Sequence, residues 1–157
     1  MNTTLLMLAM LAQPEASVSK AQMHRIATSI IPEARKHSLD PTLLAAIAIA
    51  ETGGRNLVAH GRGKNRAGAD VGVFQIHCPH ARPACIERYR DARQSAAEAA
   101  QILVLGRRLC VSPPKSYRKV CQRGFWARYN PGSVRWARRV RKLWGRIRDF
   151  LERHHSV

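Results

Sequence analysis

No apolar run in the 157-residue chain reaches the ~18–20 residues of a membrane-spanning helix, so a membrane-embedded protein is excluded. Glycine (10) and proline (8) are too few for a collagen-like repeat. No sustained heptad pattern, internal repeat or interdomain linker appears. At 45% hydrophobic and 24% charged, the composition is that of a globular protein and not of a disordered one. Acidic residues are scarce: 10 Asp and Glu stand against 27 Lys and Arg, for a formal net charge of +17. The excess is concentrated late, with 15 basic and 2 acidic side chains in residues 106–157. Such a field attracts polyanions, whether nucleic acid, anionic lipid head groups or acidic wall polymer, and charge alone does not choose among them.

The length suits one domain. Leu5–Ala12 is a short apolar run followed by Gln13-Pro14-Glu15-Ala16-Ser17. Residues 1–20 therefore read as a leader, either a secretory signal or a disordered N-terminus, with a first amphipathic helix as the rival reading. Residues 21–157 are expected to form the domain. Cysteines fall in two local pairs, Cys78/Cys85 and Cys110/Cys121, each bracketing prolines. An even count in loop-like segments suits a disulfide framework outside the cytoplasm. Local pairing is the simplest of the three connectivities. Zinc is the rival, since His77, Cys78, His80 and Cys85 lie close together, but their spacing is irregular for paired zinc ligands. No metal or cofactor is expected.

Hydrophobic periodicity predicts a mainly α fold. Ala21–Lys36 has helical spacing at Met23, Ile26, Ala27, Ile30 and Ala34, and Pro32 should kink or shorten it. Asp40-Pro41 is a strong helix start, an N-cap followed by proline at the first helical position. The helix it opens, Pro41–Glu51, is apolar nearly all round and should lie in the middle of the domain. Gly53-Gly54 ends it. Residues 52–70 read as a long functional loop and Val71–His77 as a short β-leaning segment. Further helices are expected over Asp91–Leu109, Gly124–Tyr129 and Val134 to about Glu152, with a turn at Asn130-Pro131-Gly132. On the last helix, Trp136, Val140, Leu143, Trp144, Ile147, Phe150 and Leu151 fall within an arc of about 120°, and arginines occupy the rest.

Glu51 closes the most apolar helix. Apolar surroundings and the negative end of the helix dipole both disfavour its ionised form and raise its pKa. That would prepare a general acid for work near neutral pH; on position alone the favoured alternative is an ordinary helix-end glutamate turned to water. Three segments around it occur in a telling order: LDPTLLAAIAIAETGG, GADVGVFQIH and ARYNPG. Together they resemble the lytic transglycosylases of the goose-lysozyme-like superfamily, over Leu39 to Gly132. The first segment is similar to the helix carrying that family's catalytic glutamate, and aligns it with Glu51. The second matches the glycine, apolar and glutamine positions at Gly72, Phe74 and Gln75, and the third matches Tyr129, Asn130 and Gly132. There are departures: Thr52 stands where serine is usual, Phe74 where methionine is usual, and the following proline is displaced to Pro79.

The resemblance implies a single lysozyme-like domain with a small β-like or loop segment lining its groove. It further implies cleavage of the MurNAc-β-1,4-GlcNAc bond of peptidoglycan with 1,6-anhydro-MurNAc formation. Glu51 would be the catalytic residue; Thr52, Gly72, Phe74, Gln75, Tyr129 and Asn130 would contact substrate. Asp70 is the one further acid nearby. Facing the groove it would orient water and make the enzyme a lysozyme-type hydrolase; the alternative is a loop aspartate capping a turn or pairing with Arg62, Lys64 or Arg66. The expected partners are peptidoglycan strands and, through the basic last helix, anionic envelope polymers, for a monomer acting outside the cytoplasm. A non-enzymatic basic protein binding nucleic acid or membrane is the remaining alternative. No recognised nucleic-acid motif supports it, and it leaves the three ordered segments unexplained.

Overall fold

A computed structural model describes residues 1–60 and 68–154. Its elements are α1 (Thr3–Leu11), α2 (Lys20–Lys36), α3 (Pro41–Thr52), β1 (Leu57–His60), β2 (Gly68–Gly72), β3 (Ile76–Pro79), α4 (Pro83–Arg90), α5 (Ala92–Val111), α6 (Arg118–Cys121) and α7 (Val134–His154). Short 3-10 turns lie at Lys115–Tyr117 and Phe125–Arg128. The chain is mainly α with one three-stranded antiparallel sheet of order β1-β2-β3, the class expected from composition and periodicity.

The Asp40 side chain accepts the N–H of Thr42 at 2.9 Å, with Pro41 at the first helical position, and so starts α3. Good helix formers follow, and every residue from Thr42 to Ala50 is buried. Gly53 ends the helix at φ 65°, and a Cβ there would lie 2.5 Å from the Glu15 carbonyl oxygen. Only glycine meets both demands. Around α3 pack α1, α2, α5 and α7; each fully buried Leu or Ile in this layer contributes roughly 1.5–3 kcal/mol.

The structure departs from the sequence reading at several places. Residues 3–11, expected in a leader outside the domain, form α1 and bury Leu6, Met7, Ala9 and Met10 in the main core. Pro32 does not end α2, which runs on to Lys36. The carbonyl that loses its donor belongs to exposed Thr28, where water can replace the bond, while buried Ile30, Ile31 and Ala34 hold the helix down. The segment expected as a loop over 52–70 contains β1 and the start of β2, since buried Ala69 and Val71 alternate with exposed Asp70. Finally, α4 buries none of its residues and so shows no apolar stripe in the sequence; Pro83 at its start and the Cys78–Cys85 bridge hold it to β3.

The second bridge, Cys110–Cys121, joins the end of α5 to α6, so both disulfides pair locally. On α7, Trp136, Val140, Leu143, Ile147 and Leu151 are buried in the core, and Trp144 and Phe150 pack half-buried beside them. The Trp144 indole donates to Asp40 and Thr42 at 3.0 and 2.8 Å, tying α7 to the start of α3. Two arginines outside the apolar arc of α7 are engaged. Arg146 donates to the Glu15 carboxylate at 2.7 Å, and Arg141 to the Arg123 carbonyl at 2.7 Å. Arg135, Arg138, Arg139 and Lys142 remain exposed. No helix among the described residues is long and apolar enough to cross a membrane.

Candidate active site

Glu51 lies in the last turn of α3, half-buried. Burial is the main influence on its carboxyl and lifts the pKa from 4.5 to about 7. The Trp136 indole N–H acts in the opposite sense, the Asp70 charge adds to the rise, and the Arg139 charge lowers it. Although it lies close enough to favour the carboxylate, the buried Trp136 N–H completes no hydrogen bond of normal geometry. It is a buried donor left without a full partner beside Glu51.

The turn between β2 and β3 is laced to its surroundings through consecutive carbonyls. The Thr52 hydroxyl lies 3.1 Å from the Val73 carbonyl and 3.2 Å from that of Ala48. The Tyr129 hydroxyl donates to the Phe74 carbonyl. The Gln75 amide nitrogen donates to Gly72 at 2.9 Å and Leu57 at 3.3 Å, which steadies the positive φ of 51° at Gln75. Gly72 turns the strand at φ 80°, where a Cβ would lie 2.1 Å from the Tyr89 carbonyl oxygen. These bonds hold the end of α3, the hairpin and the Tyr129 turn as one unit.

The three motif segments are therefore brought together, but their residues divide into two sets. Thr52, Gly72 and Phe74, expected to touch substrate, are buried, with Phe74 only 1% exposed. Thr52 and Phe74 fill the wall from within, and Gly72 lets the strand pass close to the Tyr89 carbonyl. Gln75, Tyr129 and Asn130 are half-buried. Gln75 has spent its N–H donors on the loop, which leaves its amide oxygen as the group able to bond a ligand. The Tyr129 ring stacks on Trp136 with centroids 5.8 Å apart and planes 8° off parallel. Its phenol is held well above the usual pKa, first by burial of the hydroxyl and then by the nearby charges of Glu51, Glu98 and Asp70. It stays neutral, a donor committed to Phe74.

Asp70 sits on β2 and pairs with His77 opposite it on β3, carboxylate to ring Nδ1 at 3.0 Å. The two side chains are 51% and 64% exposed respectively, so the pair contributes little stability and is open to water or ligand. Pairing of Asp70 with Arg62, Lys64 or Arg66 lies outside the described residues. His77 entered the sequence reading only as a zinc candidate, and Trp136 and Arg139 did not enter it as site residues. The β2–β3 register brings His77 beside Asp70. Trp136 and Arg139 are hidden in the pattern of α7, where one reads as core and the other as solvated face.

Among the described residues, no group of three or more His, Cys, Asp or Glu is arranged to hold a metal ion. Cys78 and Cys85, the thiols of the zinc reading, are bonded to each other. Compared with protein-family models, curated proteins and solved structures, the chain matches none. The functional reading therefore rests on the residues themselves.

Proposed function

We propose that the protein is a peptidoglycan lytic transglycosylase with a lysozyme-like fold. The observation that carries this reading is Glu51, a carboxyl lifted to a pKa of about 7 at the junction of the three segments that resemble the family. Protonated Glu51 gives its proton to the glycosidic oxygen as the C1–O bond breaks and the muramyl ring becomes oxocarbenium-like. The new carboxylate takes the proton of the muramyl C6 hydroxyl, whose oxygen bonds to C1 and closes the 1,6-anhydro ring. Glu51 ends protonated and no water is consumed. An intramolecular nucleophile needs no second carboxylate, and its proximity supplies much of the rate. The Gln75 amide oxygen would orient an N-acetyl or hydroxyl group of the sugar.

A specific observation supports a second reading, a hydrolase of the same fold. The exposed Asp70–His77 pair, whose charge reaches Glu51, could hold an attacking water, and the product would then carry a reducing end. Mass spectrometry of digested murein separates the two. Anhydromuropeptides are expected; products heavier by one water would make the enzyme a lysozyme and give Asp70 the role of base. A zymogram band that vanishes in Glu51→Gln supports either enzyme. Retained lysis in that variant overturns both, and absence of lysis by the intact chain returns the non-enzymatic basic protein.

The two disulfides suit an extracytoplasmic setting, as expected of a wall-opening enzyme used in phage lysis, in virion entry or beside a secretion apparatus. The exposed cations of α7 would hold it near anionic envelope polymers by salt-sensitive attraction.

A further inference from the structure

A cavity of about 710 Å³ opens between α2 and the α4–α5 junction, lined among others by Gln22, Arg25, Asn56, Val73, Arg90 and Arg93. Its size lies within the range of about 300–1,000 Å³ typical of small-ligand sites. Glu51 does not line it. The link to the catalytic region is Val73, whose carbonyl meets the Thr52 hydroxyl next to Glu51. Neither Arg25 nor Arg90 has its guanidinium in an ion pair or hydrogen bond among the described residues, and Arg93 approaches Glu33 only at 3.9 Å. Asp91, an acid on the rim, is occupied by the N–H of Gln94 at 2.8 Å.

The amides of the lining are used on one side only. Gln22 donates to the Gly54 carbonyl at 3.3 Å and Asn56 to that of Arg90 at 2.7 Å. Each is left with an amide oxygen able to accept. The cavity thus offers guanidinium donors for carboxylates, amide oxygens for N–H groups and an apolar floor at Ile26 and Val73. A phosphate polymer has no N–H to give these oxygens; a peptide bearing free carboxylates satisfies all three features.

We infer that this cavity is a second binding site, one that takes the acidic peptide stem of the murein strand beside the turn that carries Val73–Gln75. The choice of stem rests on the function proposed above; the chemistry of an acidic peptide rests on the lining. A strand anchored by its stem here and by its sugars at Glu51 would be held at two points, so the enzyme would favour peptide-bearing glycan over bare glycan.

The test uses the full chain, a free murein stem tetrapeptide and the same peptide with its carboxylates amidated, titrated by calorimetry at fixed low salt. Amidation is expected to weaken binding about tenfold or more, and Arg25→Gln and Arg90→Gln each to weaken the acidic peptide by about tenfold. The amidated peptide should be indifferent to both substitutions. Arg138→Gln with Lys142→Gln on α7 should change nothing, which separates the cavity from the general positive charge. Equal binding of the two peptides, no binding of either, or equal losses from the α7 variants would each overturn the site. Cleavage is scored separately. Peptide binding without murein cleavage would sink the proposed function and leave the cavity standing; cleavage without peptide binding would do the reverse.

Discussion

Replacing Glu51 with Gln should stabilise the protein above neutral pH while abolishing its chemistry. Folding lifts the carboxyl from 4.5 to about 7, so the native state keeps a proton that the unfolded chain releases. Stability therefore falls as pH rises from about 4.5 to about 7 and stays depressed above that window. At about 1.4 kcal/mol per pH unit the full lift corresponds to ~3 kcal/mol, and the carboxyl's remaining contact with water reduces this to roughly 2 kcal/mol. Glutamine has nearly the same shape and no charge to desolvate. In a domain of this size 1 kcal/mol moves Tm by about 2–4 °C, so Glu51→Gln should melt ~4–8 °C above the parent at pH 8, with the gap closing towards pH 4.5. Activity on murein should run the other way. The parent should lose about tenfold per pH unit above 7, since only the protonated acid donates, and the variant should be inactive by orders of magnitude. Melting curves from pH 4 to 9, with turbidity loss of a murein suspension on the same samples, read both. A variant that melts below the parent at pH 8, or a gap that does not change with pH, would refute the picture of a desolvated carboxyl held ready as an acid.

Asp70→Asn should keep most of the activity and move the alkaline limb of the pH profile to lower pH, because the Asp70 charge raises the pKa of Glu51; a loss of activity by orders of magnitude would assign the water-activating role to Asp70. Peptide mapping without reduction should recover Cys78–Cys85 and Cys110–Cys121, and reduction should lower stability by about 2–3 kcal/mol for each small closed loop. Four free thiols in protein from its native compartment would contradict both bridges and the extracytoplasmic setting. Deleting residues 134–157 should unfold the domain, since α7 covers α3. Reversing Arg135, Arg138 and Lys142 to Glu should leave the melting curve nearly unchanged and weaken adhesion to anionic wall polymer at low salt. A folded, active truncation would show that α7 is not part of the core.

Much of the helical frame was legible because its signals are local. Asp40-Pro41 and Gly53 act on the backbone within a few residues, and the caps they form are those seen. The apolar arc of α7 was readable from periodicity alone. What escaped depends on partners distant in sequence. The strands β1 and β2 are short, and they are strands because each completes the other's hydrogen bonds, which no local pattern announces. The apolar run of α1 suits a leader as well as a core helix, and its packing against α2 and α7 depends on residues distant in sequence. Arg146 reads as solvated until Glu15, 131 positions away, is brought beside it.

The candidate site shows the same division. The role of Glu51 as an acid rested on the resemblance, but its raised pKa was legible, since an acid at the end of a buried helix has few ways to reach water. The roles of its neighbours were not. A motif match at Thr52, Gly72 and Phe74 suggests contact with substrate, yet each of these residues meets a constraint from inside the protein. Thr52 faces two carbonyls, Gly72 has no room for a side chain against Tyr89, and Phe74 fills the core while its carbonyl receives Tyr129. Together these contacts hold the hairpin and the Tyr129–Trp136 stack near the end of α3, where burial raises the pKa of Glu51. The matched residues are thus buried supports around Glu51; under the proposed function they would act through the acid they surround, with the half-buried Gln75 and Asn130 left to meet the sugar. A substitution at Thr52 or Phe74 that loosens the wall should accordingly move the pH profile of Glu51 before it moves the affinity for glycan.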